Sequence, residues 1–254
     1  MTRFKIIVTV RNAERWIERC LQSVLTQSYP LWQCIVVDDA STDRTFDNAL
    51  RVTGRDARFL AMRQEQRQES HLVNQNLAVQ ASRANSRDVL VILDGDDWLH
   101  DDGVLHHLAI VFKSPDVWLS YGSFVLWTAD DAPLDTSWKL PAYSTETLRS
   151  GTVRQEDWRA SHLRAFRAGL WRAVDQDRYC RRDGRVVNVA VDHGMMFPMM
   201  ELARERCIHV ERPMLIYNFA NPESFGRQPG GKERADEMAA WLRTLPPCDR
   251  MQDL

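Results

Sequence analysis

Three short apolar runs constrain this chain more than any other feature. They are FKIIVTV, leading into Arg11-Asn12, QCIVVDD over 33–39 and DVLVILDGDD over 88–97. A continuous apolar run of this length predicts a strand buried on both faces, as in a parallel sheet covered by helices. The later two runs finish on aspartates, and a buried strand must surface before such a charge can be solvated. The acids therefore collect along the carboxyl edge of the sheet, where open α/β sheets bind ligands.

The 254 residues suffice for one large domain or two modest lobes with a real core. A net charge of −2 gives no global attraction to nucleic acid or anionic membrane. Cysteines 20, 34, 180, 207 and 248 lack metal-site spacing, and their odd number predicts reduced thiols in a cytosolic protein. No apolar run approaches the roughly 18 residues of a membrane helix. The N-terminal IIVTV is too short and strand-like for a signal peptide. The expectation is a soluble, cytoplasmic protein, with peripheral membrane contact left open.

Strands and helices alternate through the first half. Strand 4–10 precedes a helix over 13–26, on which Ile17, Leu21, Val24 and Leu25 share a face. Strand 33–38 precedes a helix carrying Phe46, Ala49, Leu50 and Thr53, capped from within Ala40-Ser41-Thr42-Asp43. Strand 58–63, helix 71–82 and strand 89–94 follow. This rhythm predicts right-handed strand–helix–strand units in a mostly parallel sheet flanked by helices. Beyond Trp98 it changes. A helix near 101–113, a strand or hairpin over 117–127 and an ordered loop over 128–147 are expected. Next come an Arg-rich stretch at 149–185, a helix from Asp192 or Phe197 that Pro198 opens or kinks, and strand 214–219. A Pro/Gly-rich hinge at 222–231 and a helix around 232–243 close the chain. The functional division is 1–128 for one ligand-binding half, 129–225 for a second, α+β half, and 226–254 for a loop and final helix.

Asp94-Gly95-Asp96-Asp97 is the sharpest local signal. Acids two apart at a strand end can hold a hard divalent cation, and glycine admits a phosphate close to the backbone. Taken alone, the motif reads equally well as an acidic turn capping the next helix. The pair Asp38-Asp39, 56 residues before Asp94, tips the balance, because a nucleotide–metal complex needs one acid site near base or ribose and another near the diphosphate.

The stretch IIVTVRNAERWIERCLQSVLTQSYPLWQCIVVDDASTD, followed by LDGDDWL, resembles the inverting family-2 glycosyltransferases of the A-type fold. The likeness covers most of 4–99 and continues more weakly through SHLRAFRAGLW, AVDHGMMFPMMELA and LIYN. It implies a nucleotide-diphosphate sugar as donor, a UDP-sugar by family habit, with Mn²⁺ or Mg²⁺. By position it implies that Asp38 faces the base, Asp39 and Asp94 the ribose, and that Asp96, with Asp94, holds the metal. Thr9, Arg11, Asn12, Ser41, Asn76 and Gly95 complete the implied donor set. Arg11 stands where the family has an aromatic residue, and it either stacks by its guanidinium plane or pairs with Asp38 or Asp39. Ser70 replaces a family glycine, predicting a differently shaped loop before the third helix.

Displacing a nucleoside diphosphate from a sugar needs a base on the face opposite the leaving group, and one carboxylate suffices. Asp192 matches the family's catalytic acid position; as a plain structural residue it is a helix cap. His193 reads as an orienting or structural group. His162 and Arg164 match the segment bordering the acceptor cleft, and Trp98 is a candidate for lining the sugar site. The stretch 149–185 holds ten arginines against five acids. Most of these arginines read as a solvated, ion-paired face, while the local excess of five positive charges would suit an anionic acceptor or the donor diphosphate. Gly226-Arg227-Gln228-Pro229-Gly230-Gly231-Lys232 has phosphate-loop spacing, but Glu233 replaces the required hydroxyl residue. A loop closing over donor with Arg227 adding charge is the expectation there. His100, Asp101, Asp102, His106 and His107 read as solvated residues at the start of a surface helix.

The leading expectation is a metal-dependent inverting glycosyltransferase whose acceptor is a polysaccharide or glycoconjugate. The alternatives are transfer to a hydroxylated base in DNA, a catalytically silent nucleotide-binding module, and a nucleotidyltransferase, which would release pyrophosphate and would not need Asp192.

Overall fold

The computed structural model describes residues 1–130, 132–136, 140–222, 224 and 227–254. In chain order the first half contains β1 (Phe4–Val10), α1 (Ile17–Leu25), β2 (Trp32–Asp38), α2 (Thr45–Thr53), β3 (Phe59–Arg63), α3 (His71–Ala81), β4 (Val89–Asp94), β5 (Trp98–Leu99), α4 (Val104–Val111) and β6 (Leu119–Trp127). The second contains α5 (Thr145–Ser150), β7 (Arg164–Arg167), α6 (Ala168–Ala173), α7 (Gln176–Tyr179), β8 (Arg181–Arg182), β9 (Arg185–Val186), α8 (Val191–Ala203), β10 (Cys207–Asn218) and α9 (Gly231–Thr244).

One eight-stranded sheet runs in the order β3-β2-β1-β4-β7-β6-β10-β5. The first four strands are parallel. The short β7 then runs antiparallel to both β4 and β6, while β10 returns parallel to β6. Strands from before and after residue 128 thus share a single sheet.

Strand residues point to alternate faces, and here both faces are covered, which is why the runs are continuously apolar. From β1, Ile6 and Val8 enter the core with Ile17, Leu21 and Val24 of α1 and Leu105 and Leu108 of α4. Ile7 enters the opposite core, with Leu72 and Val79 of α3 and Phe197 and Met200 of α8.

Several boundaries differ from expectation for identifiable reasons. Helix α1 starts at Ile17 rather than 13, because Asn12 adopts a left-handed backbone (φ 48°) and 13–16 form a turn. The 117–127 run is one strand rather than a hairpin. Of the loop expected over 128–147, residues 131 and 137–139 lie outside the described residues, and α5 begins at Thr145. Strand β10 starts seven residues before 214, at Cys207, with its register shifting around Pro213. Pro198 lies inside α8 rather than opening it. Proline cannot bond the carbonyl four residues back, and the Gly194 carbonyl instead accepts from Cys180 Sγ at 3.6 Å. Ser70, in the place of a glycine, caps α3 by accepting from Leu72 N at 3.2 Å and donates to Val187 O at 2.7 Å. No helix among the described residues is long and apolar enough to cross a membrane.

Candidate active site

Parallel register brings three strand ends to one level: Val10 lies beside Asp38, and Thr9 beside Asp94. Gly95 N donates to Thr9 O at 3.1 Å, and a Cβ on Gly95 would sit 2.5 Å from Val10 Cβ. The glycine is therefore required by the approach of β4 to β1, in addition to any ligand.

Two loops interlock above these ends. Asn12 N donates to Ser41 Oγ at 2.9 Å, and Asn12 Oδ1 accepts from Thr42 N at 2.9 Å. Ser41 Oγ donates to Asp38, which also accepts from Ser41 N at 3.1 Å and faces Arg63 Nε at 3.4 Å. Asp38 is fully buried, so its carboxylate shapes the loop instead of facing the cavity. Arg11 pairs with neither carboxylate. Its NH1 donates to the backbone carbonyls of Asp39 at 2.6 Å and Ala40 at 3.1 Å. Asp39 is the member of the pair that reaches the cavity, with Oδ1 accepting from Gln68 N at 2.8 Å.

The DGDD turn is tight: Asp97 N donates to Asp94 O at 3.0 Å, folding the Asp97 side chain back beside Asp94. Ligand atoms of Asp94, Asp97 and His162 all lie within 4.8 Å of one another. Asp96, expected to hold the metal with Asp94, accepts from Asn221 Nδ2 at 2.7 Å through Oδ2. Burial raises the pKa of Asp94, and more strongly that of Asp97, where Asp96 and Asp94 add repulsion. Burial and the neighbouring Arg164 push His162 down to about 3, so its imidazole is neutral at pH 7. Crowded, desolvated carboxylates beside a neutral imidazole form a donor set that suits a divalent cation such as Mn²⁺ or Mg²⁺.

Asp192 stands in the first turn of α8. Its Oδ2 accepts from Arg164 NH2 at 3.0 Å, and its Oδ1 from His193 N at 3.0 Å, with His193 Nδ1 at 3.1 Å. Trp158 stacks on the His193 ring with centroids 3.8 Å apart. Burial works to raise the Asp192 pKa, but Arg164, His193 and His162 together outweigh it and hold the carboxyl well below the usual range.

A cavity of about 520 Å³ joins these groups, with Arg11, Asp39, Asp94, His162, Arg164 and Asp192 all in its wall. Three other sequence candidates lie elsewhere. Asn76 is tied to Trp171 Nε1 at 3.0 Å and Gln176 Oε1 at 2.6 Å, linking α3 to α6 and α7. Trp98 is buried edge-on against Trp127, with Arg19 4.0 Å above its ring, so it does not line the cavity. Arg227 lies 3.9 Å over Phe219. Gly226 of that loop is outside the described residues, while Gln228 and Arg234 do line the cavity. Sequence reasoning missed Asp97, Gln68 and Tyr217. The first carried a signal, being a third acid in one turn.

The Arg-rich stretch is largely self-neutralised. Arg149, Arg154, Arg159, Arg164, Arg181 and Arg182 pair with acids. Arg167 donates to the carbonyls of Val117, Arg87, Phe112 and Ser114. Of the ten arginines in this stretch, Arg164 is the one in the cavity wall.

Known proteins identify the family and the fold. The model of glycosyl transferase family 2 matches residues 5–178, and the chain belongs to that family. The putative teichuronic acid biosynthesis glycosyltransferase TuaG of Bacillus subtilis (strain 168) is 34% identical over 139 residues, covering 53% of each chain. Glycosyltransferase GlyA of Streptococcus pneumoniae is 31% identical over 102 residues, 40% of this chain and 14% of that one. The chain thus spans about half or less of the length of these curated relatives. The crystal structure of S. aureus TarS in complex with UDP-GlcNAc superposes with a TM-score of 0.67 at 15% identity, over 95% of this chain and 66% of that one. Mannosyltransferase PcManGT from Pyrobaculum calidifontis, in complex with GDP-Man and Mn²⁺, gives 0.57 at 17% identity, over 94% and 69%. The fold is that of these A-type neighbours: α/β, with a large, mostly parallel sheet flanked by helices.

Proposed function

We propose that this protein is a metal-dependent, inverting glycosyltransferase that moves a sugar from a nucleoside-diphosphate donor to a hydroxyl acceptor. The observation that carries this reading is one cavity whose wall holds Asp39, Arg11, Asp94, His162 and Asp192 together. The nucleotide sugars and Mn²⁺ named with the structural neighbours support the same donor class, with uridine or guanosine as base. The relative named for teichuronic acid biosynthesis supports a polysaccharide or glycoconjugate acceptor.

Asp39 offers a carboxylate oxygen to the nucleoside, and Arg11 a fixed guanidinium beside it. Asp94, Asp97 and His162 are the residues that would hold the divalent cation, whose chemistry when bound is Lewis-acid neutralisation of the leaving diphosphate. Asp192 accepts the proton of the acceptor hydroxyl as its oxygen bonds to the anomeric carbon. The bond from that carbon to the diphosphate breaks on the opposite face, which inverts the configuration. A catalytically silent module would bind the same donor without this step.

Thermal denaturation with UDP- and GDP-sugars tests the reading, in Mn²⁺ and again in EDTA. Stabilisation by one donor that disappears in EDTA is expected, growing with donor concentration by mass action. Turnover of that donor should be lost in Asp192→Asn while binding persists. Metal-independent behaviour across all donors would remove the metal from the proposal, and no stabilisation at all would remove the donor.

A further inference from the structure

Arg164 occupies an unusual electrostatic position. It opens β7, a strand held between β4 and β6, and its Nε donates to Ala160 O at 3.2 Å. Its side chain is 11% exposed, and its NH2 lies 3.0 Å from Asp192 Oδ2 and 3.4 Å from His162 Nε2. Its charge is felt by Asp94, Asp97 and Asp192 alike. Of the cavity's other arginines, Arg11 is pinned to two carbonyls beside Asp39, Arg234 Nε donates to Gly230 O just before α9, and Arg67 lies in the wall with Gln68 and Glu69. Arg164 is the arginine whose charge acts on Asp94, Asp97 and Asp192.

This creates a chemical conflict. A carboxylate serves as a base only as far as its oxygen takes up the acceptor's proton, and an ion pair to a guanidinium weakens that affinity even where a lone pair stays open. Both oxygens of Asp192 already accept, Oδ1 from His193 and Oδ2 from the guanidinium. A diphosphate carries more charge than a carboxylate and matches the planar fork of a guanidinium at least as well. The Nε bond to Ala160 O keeps the guanidinium at the cavity wall whichever anion its NH2 meets.

We propose that Arg164 is a positioning residue that exchanges anionic partners, from Asp192 to the donor's diphosphate, so that the base is freed when donor is loaded. The inference rests on the donor reading above. The exchange breaks one N–H···O contact and makes another, with no covalent step.

Calorimetric titration of UDP and GDP in Mn²⁺ tests this without turnover. Asp192→Asn should tighten diphosphate binding by about tenfold, the worth of one hydrogen bond to a charged group. Arg164→Ala should weaken it by a similar factor and abolish the gain from Asp192→Asn, while uridine and guanosine bind equally to every variant. Should Arg164→Ala fail to fold, Arg164→Lys carries the comparison, with a gain from Asp192→Asn smaller than in the wild-type background. An equal gain in both backgrounds would mean simple relief of repulsion, and no gain would mean a fixed structural pair; either overturns the exchange while leaving the donor reading intact. A wild-type protein that binds neither nucleotide overturns the donor reading, and this inference falls with it.

Discussion

Where β4 ends, half-buried Asp94 and buried Asp97 bring their carboxylates together, and that arrangement costs stability unless a cation offsets it. Asp97 is 2% exposed and receives one backbone N–H, from Asn218 at 2.8 Å. Asp97→Asn keeps the acceptor oxygen and removes the charge, so in EDTA the variant should be more stable than the wild type by about 1 kcal/mol, read from urea denaturation. The same variant should lose most of its stabilisation by Mn²⁺; a variant that keeps it would take Asp97 out of the cation site. Asp43 illustrates the opposite sign. It accepts from Glu14 N at 3.1 Å and Thr45 N at 3.0 Å, fixing the loop that carries Asp39 and Ser41. Burial opposes, but the Thr45 hydroxyl, which donates to Oδ1 at 2.5 Å, and these two backbone bonds win and lower its pKa. Its contribution is thus present above the unfolded carboxylate value, near about 4, and fades as pH falls through the lower folded one. Asp43→Ala should cost about 1 kcal/mol at neutral pH and progressively less below about pH 4; a pH-independent cost would mean that packing, rather than the carboxylate, is what was lost. Strand ends and the family resemblance pointed to Asp39, Asp94, His162, Arg164 and Asp192, and the structure gathers all five in one cavity wall. Identity did not reveal that Asp38 turns inward, since that depends on Ser41 Oγ and Arg63, which belong to other segments.

Among elements, the parallel core was readable and the later connections were not, for one physical reason. β1, β2 and β4 are buried on both faces, so their composition alone identifies them. β7 is just as buried, yet its sequence RAFR begins and ends on charge. Arg164 and Arg167 enter the interior because Asp192 and four carbonyls await them, and no local pattern encodes those partners. The same holds where α8, α9 and the C-terminal tail meet. Glu201, fully buried on α8, accepts from Arg154 Nε at 2.5 Å and NH2 at 3.1 Å, and from Cys248 N at 3.0 Å. Arg154 NH1 continues to Leu242 O at 2.5 Å on α9. Breaking a buried pair from one side strands a charge, so Glu201→Gln and Arg154→Met should each cost about 3–5 kcal/mol in urea unfolding. The double variant should cost clearly less than the sum of the two. Additive costs would show that the pair contributes through packing alone.

For the whole molecule, charge distribution decides between acceptor classes. The net charge is −2, and the Arg-rich stretch is spent internally on acids and carbonyls. Binding a polyanion such as DNA draws on unpaired cations along one face and releases counterions, which makes affinity fall steeply with salt. The cavity mixes Arg11, Arg67, Arg164 and Arg234 with Asp39, Glu69, Asp94 and Asp192, so its fixed charges nearly cancel before any ligand arrives. A donor diphosphate together with a divalent cation adds little net charge to such a site, whereas a nucleic-acid strand adds one negative charge per phosphate. Fluorescence anisotropy with duplex and single-stranded DNA should therefore show no binding at physiological salt, and donor affinity should change by less than about tenfold between 50 and 200 mM salt. A polyanion binder making many phosphate contacts would lose about 10³-fold or more over that interval. Such a loss, measured for acceptor binding, would return the hydroxylated-base reading to first place, because it would mean that the internal arginine pairs open to receive phosphate.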